Sequence, residues 1–543
     1  MSGETLEADV RACKGLVIDA SAASRNLLGN MLKDFGIGEV EHADKLADAR
    51  QMLARGRYDI VLCDYHFASE ATTSQELLDE LRRERVLPYS TVVLMITSEA
   101  SYAKVAEAAE SALDGYLLKP HSAASLAERL MLARKRKKAM RDIYAALESQ
   151  EYELAAQLCI DRFYQRQEYW LNAARIGAEV LLRLGRPAQA RELFEAIQSS
   201  QPLPWAKLGV ARAQIDAGQP RPALRTLESL LAERPTYADA FDVKARAELE
   251  EGELDAALLT CRQAVELTPQ SMPRLQKLGT LAFYMGEVDI ASRALETSYA
   301  LGVNSKLFDF QSLVLMAQIH ASRSRLSGVQ MCMDSLAQAA RIHPQSVRIG
   351  RLLRCTRALE SMLRQRHADA AQRISELAAE ARLPDFDFEA ACNLLGLLGR
   401  LAATRAPLRE AEEWLIPLAE RFCVSRAACE LLAQSAQPEA QHMRNIRDAH
   451  AAVGEMARHA MQYALQGEPT ETVKQLLRDG SRTLNAKLLE LADLVIKRYG
   501  EAIEDRQHLG ELTAELRDQY CRQGTHVKLG PAIGREPGGL RLP

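Results

Sequence analysis

Aromatic side chains supply only 5% of this 543-residue chain, so its interior has to be built mainly from Leu, Ala and Val. No apolar run approaches the ~20 residues needed to cross a bilayer. The opening Met1-Ser2-Gly3-Glu4-Thr5-Leu6-Glu7 lacks a basic stretch followed by an apolar one, so a cytoplasmic protein with no membrane contact is expected. A net charge of −4 gives no global field that would attract nucleic acid or an anionic surface. The ten cysteines include no CxxC pair and fall mostly in apolar runs, which predicts reduced core residues rather than a disulfide or zinc framework. HExxH, GxSxG and P-loop signatures are also missing, as is any GGDEF-like one, so no output enzyme is expected.

What is present begins with alternation. Short apolar runs at Gly15 to Asp19, Glu39 to His42, Asp59 to Cys63, Val92 to Ile96 and Gly115 to Leu118 are separated by amphipathic stretches such as Ala23 to Phe35, Asp44 to Ala54 and Ser74 to Arg85. That order predicts a parallel sheet of five strands covered by helices on both faces. Polar chemistry in such sheets collects at the carboxyl ends of the strands, where Asp19, Asp64, Thr97 and Lys119 fall. A carboxylate can act as a covalent nucleophile toward phosphorus, provided cations neutralise the charge of the incoming anion. Lys119 offers one such charge, and magnesium, which takes oxygen ligands, would supply the rest.

The stretches LVIDASAASR, IVLCDYHF, VVLMITSEA and GYLLKP, in this order, resemble the receiver domain of bacterial two-component response regulators, of chemotaxis type. The resemblance implies a doubly wound, flavodoxin-like α/β fold. It implies that Asp64 takes a phosphoryl group from a cognate histidine kinase or phosphotransfer protein, that Thr97 and Lys119 contact the phosphate, and that Tyr116 is a switch residue. It further implies a Mg2+ ion held by Asp19, Asp64 and the backbone carbonyl of His66, and a cis peptide at Lys119-Pro120. Two departures stand out: Ala20 replaces the second acid of the family's usual pair, and the loop after Asp64 lacks Met-Pro and is about two residues longer.

Beyond the basic run Arg134-Lys135-Arg136-Lys137-Lys138, which reads as a solvated helical linker, the chain turns repetitive. Gly218, Gly252 and Gly286 recur every 34 residues, as do Ala223, Ala257 and Ala291, while Pro235 and Pro269 close two units. Gly185, Ala190, Phe194 and Pro202 mark one more unit upstream. Period and pattern resemble tetratricopeptide repeats, paired antiparallel helices stacked into a solenoid. By repeat position, Arg175, Trp205, Arg212, Asp242, Arg246 and Tyr284 should face or border a concave groove that takes a protein or peptide ligand. For Trp205 the alternative is contact with the preceding repeat, and for the arginines a solvated face.

The expected organisation is therefore multidomain: a receiver at 1–133, a basic linker at 134–140, repeats at 141–303, a divergent helical region at 304–525 and a disordered tail at 526–543. Glu410 to Leu415 reads as one more second helix, and Ile446 to Leu465 and Thr470 to Arg498 as long amphipathic helices, either a capping bundle or a coiled-coil arm for a homodimer. Three functions stay open: a phosphorylation-controlled adaptor, a phosphorylation-independent scaffold with a degenerate receiver, and a nucleic-acid regulator using the basic run.

Overall fold

The computed structural model describes residues 11–65, 67, 74–98, 114–303, 305, 307–403, 411–437 and 439–521. His66 and the 526–543 tail lie outside the described residues.

Five strands, β1 (Lys14–Ile18), β2 (Glu39–Ala43), β3 (Ile60–Asp64), β4 (Val92–Thr97) and β5 (Gly115–Leu118), form one parallel sheet in the order β2-β1-β3-β4-β5. Side chains alternate between its faces. Leu16, Ile18, Val61, Cys63, Val93 and Met95 pack under helices α2 (Leu46–Arg55) and α3 (Ser74–Arg83). Val17, Ile60, Leu62, Leu94 and Ile96 meet α1 (Ala22–Asp34) and α4 (Ala123–Ala139) on the other face.

The expected linker at 134–140 is not a separate element, because α4 runs through Ala139 before the chain breaks at Met140. Its basic run is a solvated face only in part: Lys135 and Lys138 are exposed, while Lys137 is buried. Lys135 pairs with Glu168, while Arg136 and the buried Lys137 pair with Asp114 at 3.0 Å each. Burial alone would raise the Asp114 carboxyl, but the charges of Lys137, Arg82 and Arg136 outweigh it and hold it below its ordinary value. Helix α5 (Arg141–Glu148) completes this joint: the Tyr144 and Tyr89 rings stack at 6.4 Å, and Glu148 accepts from the Tyr89 amide. Tyr89 thereby enters the same apolar cluster as Met140 and Ile143.

Helical hairpins follow: α6 (Tyr152–Tyr164), α7 (Trp170–Arg183), α8 (Pro187–Ser200), α9 (Pro204–Asp216), α10 (Pro220–Glu233), α11 (Ala238–Glu251), α12 (Leu254–Leu267), α13 (Met272–Tyr284) and α14 (Val288–Gly302). Gly185, Gly218, Gly252 and Gly286, just past the first helix of each pair, have φ of 68°, 71°, 78° and 80°. In this left-handed region a missing Cβ is an advantage. Gly279 serves a different need: a Cβ there would lie 2.6 Å from Leu295 Cγ of the paired helix.

The hairpins continue where the sequence period fades: α15 (Gln311–Ser322), α16 (Leu326–Ile342), α17 (Val347–Leu363), α18 (His367–Ala378), α19 (Phe388–Ala403), α20 (Ala411–Phe422), α21 (Arg426–Ser435) and α22 (Ala440–Leu465). Residues 470–498 do not make one long helix. Leu484, at φ 58°, and the capping Asn485 separate α23 (Pro469–Thr483) from α24 (Ala486–Tyr499). Together with α22 and α25 (Arg506–Tyr520) these helices bury their apolar faces on one another, which removes the surface a coiled-coil arm would use.

The first helices do not line an open channel throughout. Helix α21 returns to contact α11 and α13, and nearly every side of it is buried. Across the interior, Gln311 of α15 and Asn393 of α19 exchange hydrogen bonds of 2.9 and 2.8 Å, and Arg400 donates to the Gln318 carbonyl. From α11 onward the concave side is filled by the chain itself. No helix among the described residues is long and apolar enough to cross a membrane.

Candidate functional site

Parallel strand order places the ends of β1, β3, β4 and β5 along one sheet edge, and four polar residues from distant segments meet there. Lys119 Nζ lies 3.1 Å from Asp19 Oδ2 and 2.9 Å from Asp64 Oδ2. Lys119 follows the end of β5, where its amide donates to the Thr97 carbonyl at 2.6 Å. Thr97 is fully buried at the last position of β4, and the Lys119-Pro120 peptide is cis. Tyr116 is half-buried against the cluster holding Tyr65 and Met95. The buried Ser74 at the start of α3 donates to the Asp64 carbonyl at 2.5 Å, tying α3 to the strand end.

Among the described residues, the Asp19 and Asp64 carboxylates face the Lys119 ammonium. Burial opposes the Lys119 charge, but its hydrogen bonds to Asp64 and Asp19 prevail and raise the amine above its ordinary value. Asp19 accepts from the Ser21 amide at 2.8 Å and from Ser24 Oγ at 2.5 Å. At Ala20, where a second acid is absent, Arg25 Nη1 donates to the carbonyls of Asp19 and Ala20 at 2.7 and 2.9 Å. The donor set fits a hard divalent cation, because two carboxylates converge on one point and such ions are commonly held by one or two carboxylates with water completing the shell. Asp19 and Asp64 would hold it.

The residues expected along the groove divide. Arg212 and Glu179 form a buried two-pronged ion pair at 2.6 and 3.1 Å. The Asp242 side chain is buried against Arg274 at 2.7 Å, and Tyr284 is buried in the interior. These three are therefore not ligand-facing: residues one repeat apart lie side by side on adjacent first helices, and the charges satisfy each other there. Arg246 pairs in the same way with Asp216 at 2.6 Å but stays half-exposed. Trp205 packs edge-on to Phe194 of the preceding repeat, and the half-buried Arg175 lies 5.0 Å over its ring.

The cysteines are free and all but Cys521 are buried. Burial pushes most of their thiols upward, Cys63 to about 12, which suits inert core residues. One arrangement was not legible in sequence: Cys423, Cys429 and His450 bring their ligand atoms within 4.8 Å of one another. Their spacing follows no short metal motif, and only the turn between α20 and α21 and the return of α22 unite them.

Comparison with known proteins agrees with this architecture. The response regulator receiver domain model matches residues 16–131, and a tetratricopeptide repeat model matches residues 181–247. The chemotaxis protein CheY-3 of Vibrio cholerae is 34% identical over 117 residues, covering 22% of this chain and 88% of the relative. CheY of Pseudomonas aeruginosa is 32% identical over 117 residues, 92% of its length. The structure of Vibrio cholerae CheY4 at low pH is 27% identical, covers 22% of this chain and 98% of that one, and superposes with a TM-score of 0.21. Through its N-terminal domain the chain belongs to the response regulator receiver family, and a helical repeat region follows it.

Proposed function

We propose that this protein is a phosphorylation-controlled adaptor of two-component signalling, with no enzymatic output, in which Asp64 accepts the phosphoryl group and the helical region carries the response to other proteins. The observation that supports it most is the convergence of Asp19 and Asp64 on Lys119. In the transfer an Asp64 carboxylate oxygen bonds to phosphorus while the bond to the phosphoryl donor, a histidine kinase or phosphotransfer protein, breaks. Lys119 neutralises charge on the arriving oxygens, and the Thr97 hydroxyl offers them a donor. A bound Mg2+ would add the remaining positive charge. The buried joint of Asp114, Lys137 and Tyr89 gives the receiver a rigid hold on α4 and α5 rather than a loose tether. Partner contact is assigned to the repeats around Arg175 and Trp205, since the later concave side is filled.

A second reading, a scaffold with a receiver that is never phosphorylated, draws support from Ala20 and from an Asp19 whose oxygens already have donors in Ser21, Ser24 and Lys119. Acetyl phosphate separates the two. Full-length protein with magnesium should form a hydroxylamine- and alkali-labile adduct that disappears in Asp64→Ala, and Ala20→Asp should tighten magnesium binding by about 10 to 100-fold. No adduct at any magnesium concentration would leave the scaffold reading standing alone.

A further inference from the structure

We infer that Cys423, Cys429 and His450 form a binding site for a thiophilic metal ion, zinc above all, which clamps helix α21 between its neighbours. The three side chains come from three elements: Cys423 just past the end of α20, Cys429 in α21 and His450 in α22. Their ligand atoms all lie within 4.8 Å of one another. Around a tetrahedral zinc, with Zn–S near 2.3 Å and Zn–N near 2.0–2.1 Å, neighbouring ligand atoms sit about 3.5–3.8 Å apart. Small side-chain movements would close the present set onto an ion.

The surroundings suit a metal better than an accidental meeting of core residues. Cys423 is fully buried and Cys429 almost so, while His450 is half-buried and leaves a way in from solvent. His450 Nδ1 lies 3.2 Å from the Cys423 carbonyl, the kind of outer contact that fixes a ligating imidazole. Two sulfurs and an imidazole favour zinc over magnesium or calcium. Glu430 is occupied by Arg447 at 2.9 Å, so the fourth position falls to water or an external ligand.

Full-length protein in reducing buffer, loaded with zinc sulfate and freed of excess by gel filtration, should retain a single zinc ion per chain. Cobalt in its place should give the intense absorption of thiolate ligation. Cys429→Ser and His450→Ala should each lower zinc retention at least about tenfold. His450 is only half-buried, so His450→Ala should keep the wild-type far-ultraviolet dichroism and report on the metal rather than on folding. Absence of both retained zinc and the cobalt band in the wild type would overturn the site. So would wild-type retention in His450→Ala and Cys429→Ser alike, or a Cys423–Cys429 disulfide in the unreduced protein by intact mass.

Discussion

The receiver and the repeats handle charge in opposite ways. Among the described residues at the sheet edge, two carboxylates from separate strand ends share one lysine, an arrangement that also suits a divalent cation. Along the first helices Glu179 pairs with Arg212, Asp216 with Arg246, Asp239 with Arg274, and Asp242 with both Arg274 and Lys277, each about one repeat apart. Convergence with a surplus marks chemistry, and a matched ladder marks architecture. Breaking the ladder should therefore have the largest effect on stability. Arg212→Ala strands Glu179 in the interior and should destabilise the repeats by about 3–5 kcal/mol in urea unfolding. Lys119→Ala should leave the same transition unchanged while reducing phosphoryl uptake. A loss below roughly 1 kcal/mol, the range of exposed pairs, would return Arg212 to the surface of a ligand groove.

The same contrast explains what the sequence could disclose. Asp19, Asp64, Thr97 and Lys119 were legible because each follows an apolar run, and parallel order alone gathers strand ends. The left-handed glycines were legible because their spacing is the repeat itself. Arg212, Asp242 and Tyr284 were not, since repeat position tells which helix row a residue occupies but not what covers that row. Here the cover is partly a neighbouring repeat and partly α21, far along the chain and outside the clear period. Lys137 was misjudged for a related reason: its sequence neighbours are cations, but its partner Asp114 belongs to the edge of the sheet.

A second charge cluster sharpens the comparison. Arg348 faces three carboxylates, Asp309 and Glu389, which it binds directly, and Asp387 at 3.8 Å. The surplus resembles that around Lys119, and here burial, followed by the Asp309 charge, pushes Glu389 up to about 8 from an ordinary value of 4.5. A carboxyl raised in the folded state stabilises fully below its unfolded pKa, and that stabilisation is lost as pH rises through about 8. Thermal unfolding of the helical region should thus weaken between mildly acidic and alkaline buffer. Glu389→Gln should flatten that dependence; an unaltered profile would place the titrating group elsewhere.

The smallest effect tests whether the two halves of the helical region are one architecture. Upstream, glycine occupies the left-handed position after the first helix. Downstream, Ser324 after α15 and Gln365 after α17 hold the same conformation at φ 54° and 59°, both with exposed side chains. The geometry has persisted while the residue that suits it has drifted, which is why the period fades in sequence but not in structure. A non-glycine residue in this region carries a steric penalty of roughly 1–2 kcal/mol. Glycine returns part of that gain through the greater freedom of its unfolded chain. Gln365→Gly and Ser324→Gly should each stabilise the region by a net ~0.5–1 kcal/mol in urea unfolding. Gly218→Gln should destabilise by a similar amount, because the exchange runs the other way at an equivalent turn. If the glycine substitutions instead destabilise, the downstream turns are held by side-chain contacts of their own, and the second half is a separate helical design rather than a continuation of the repeats.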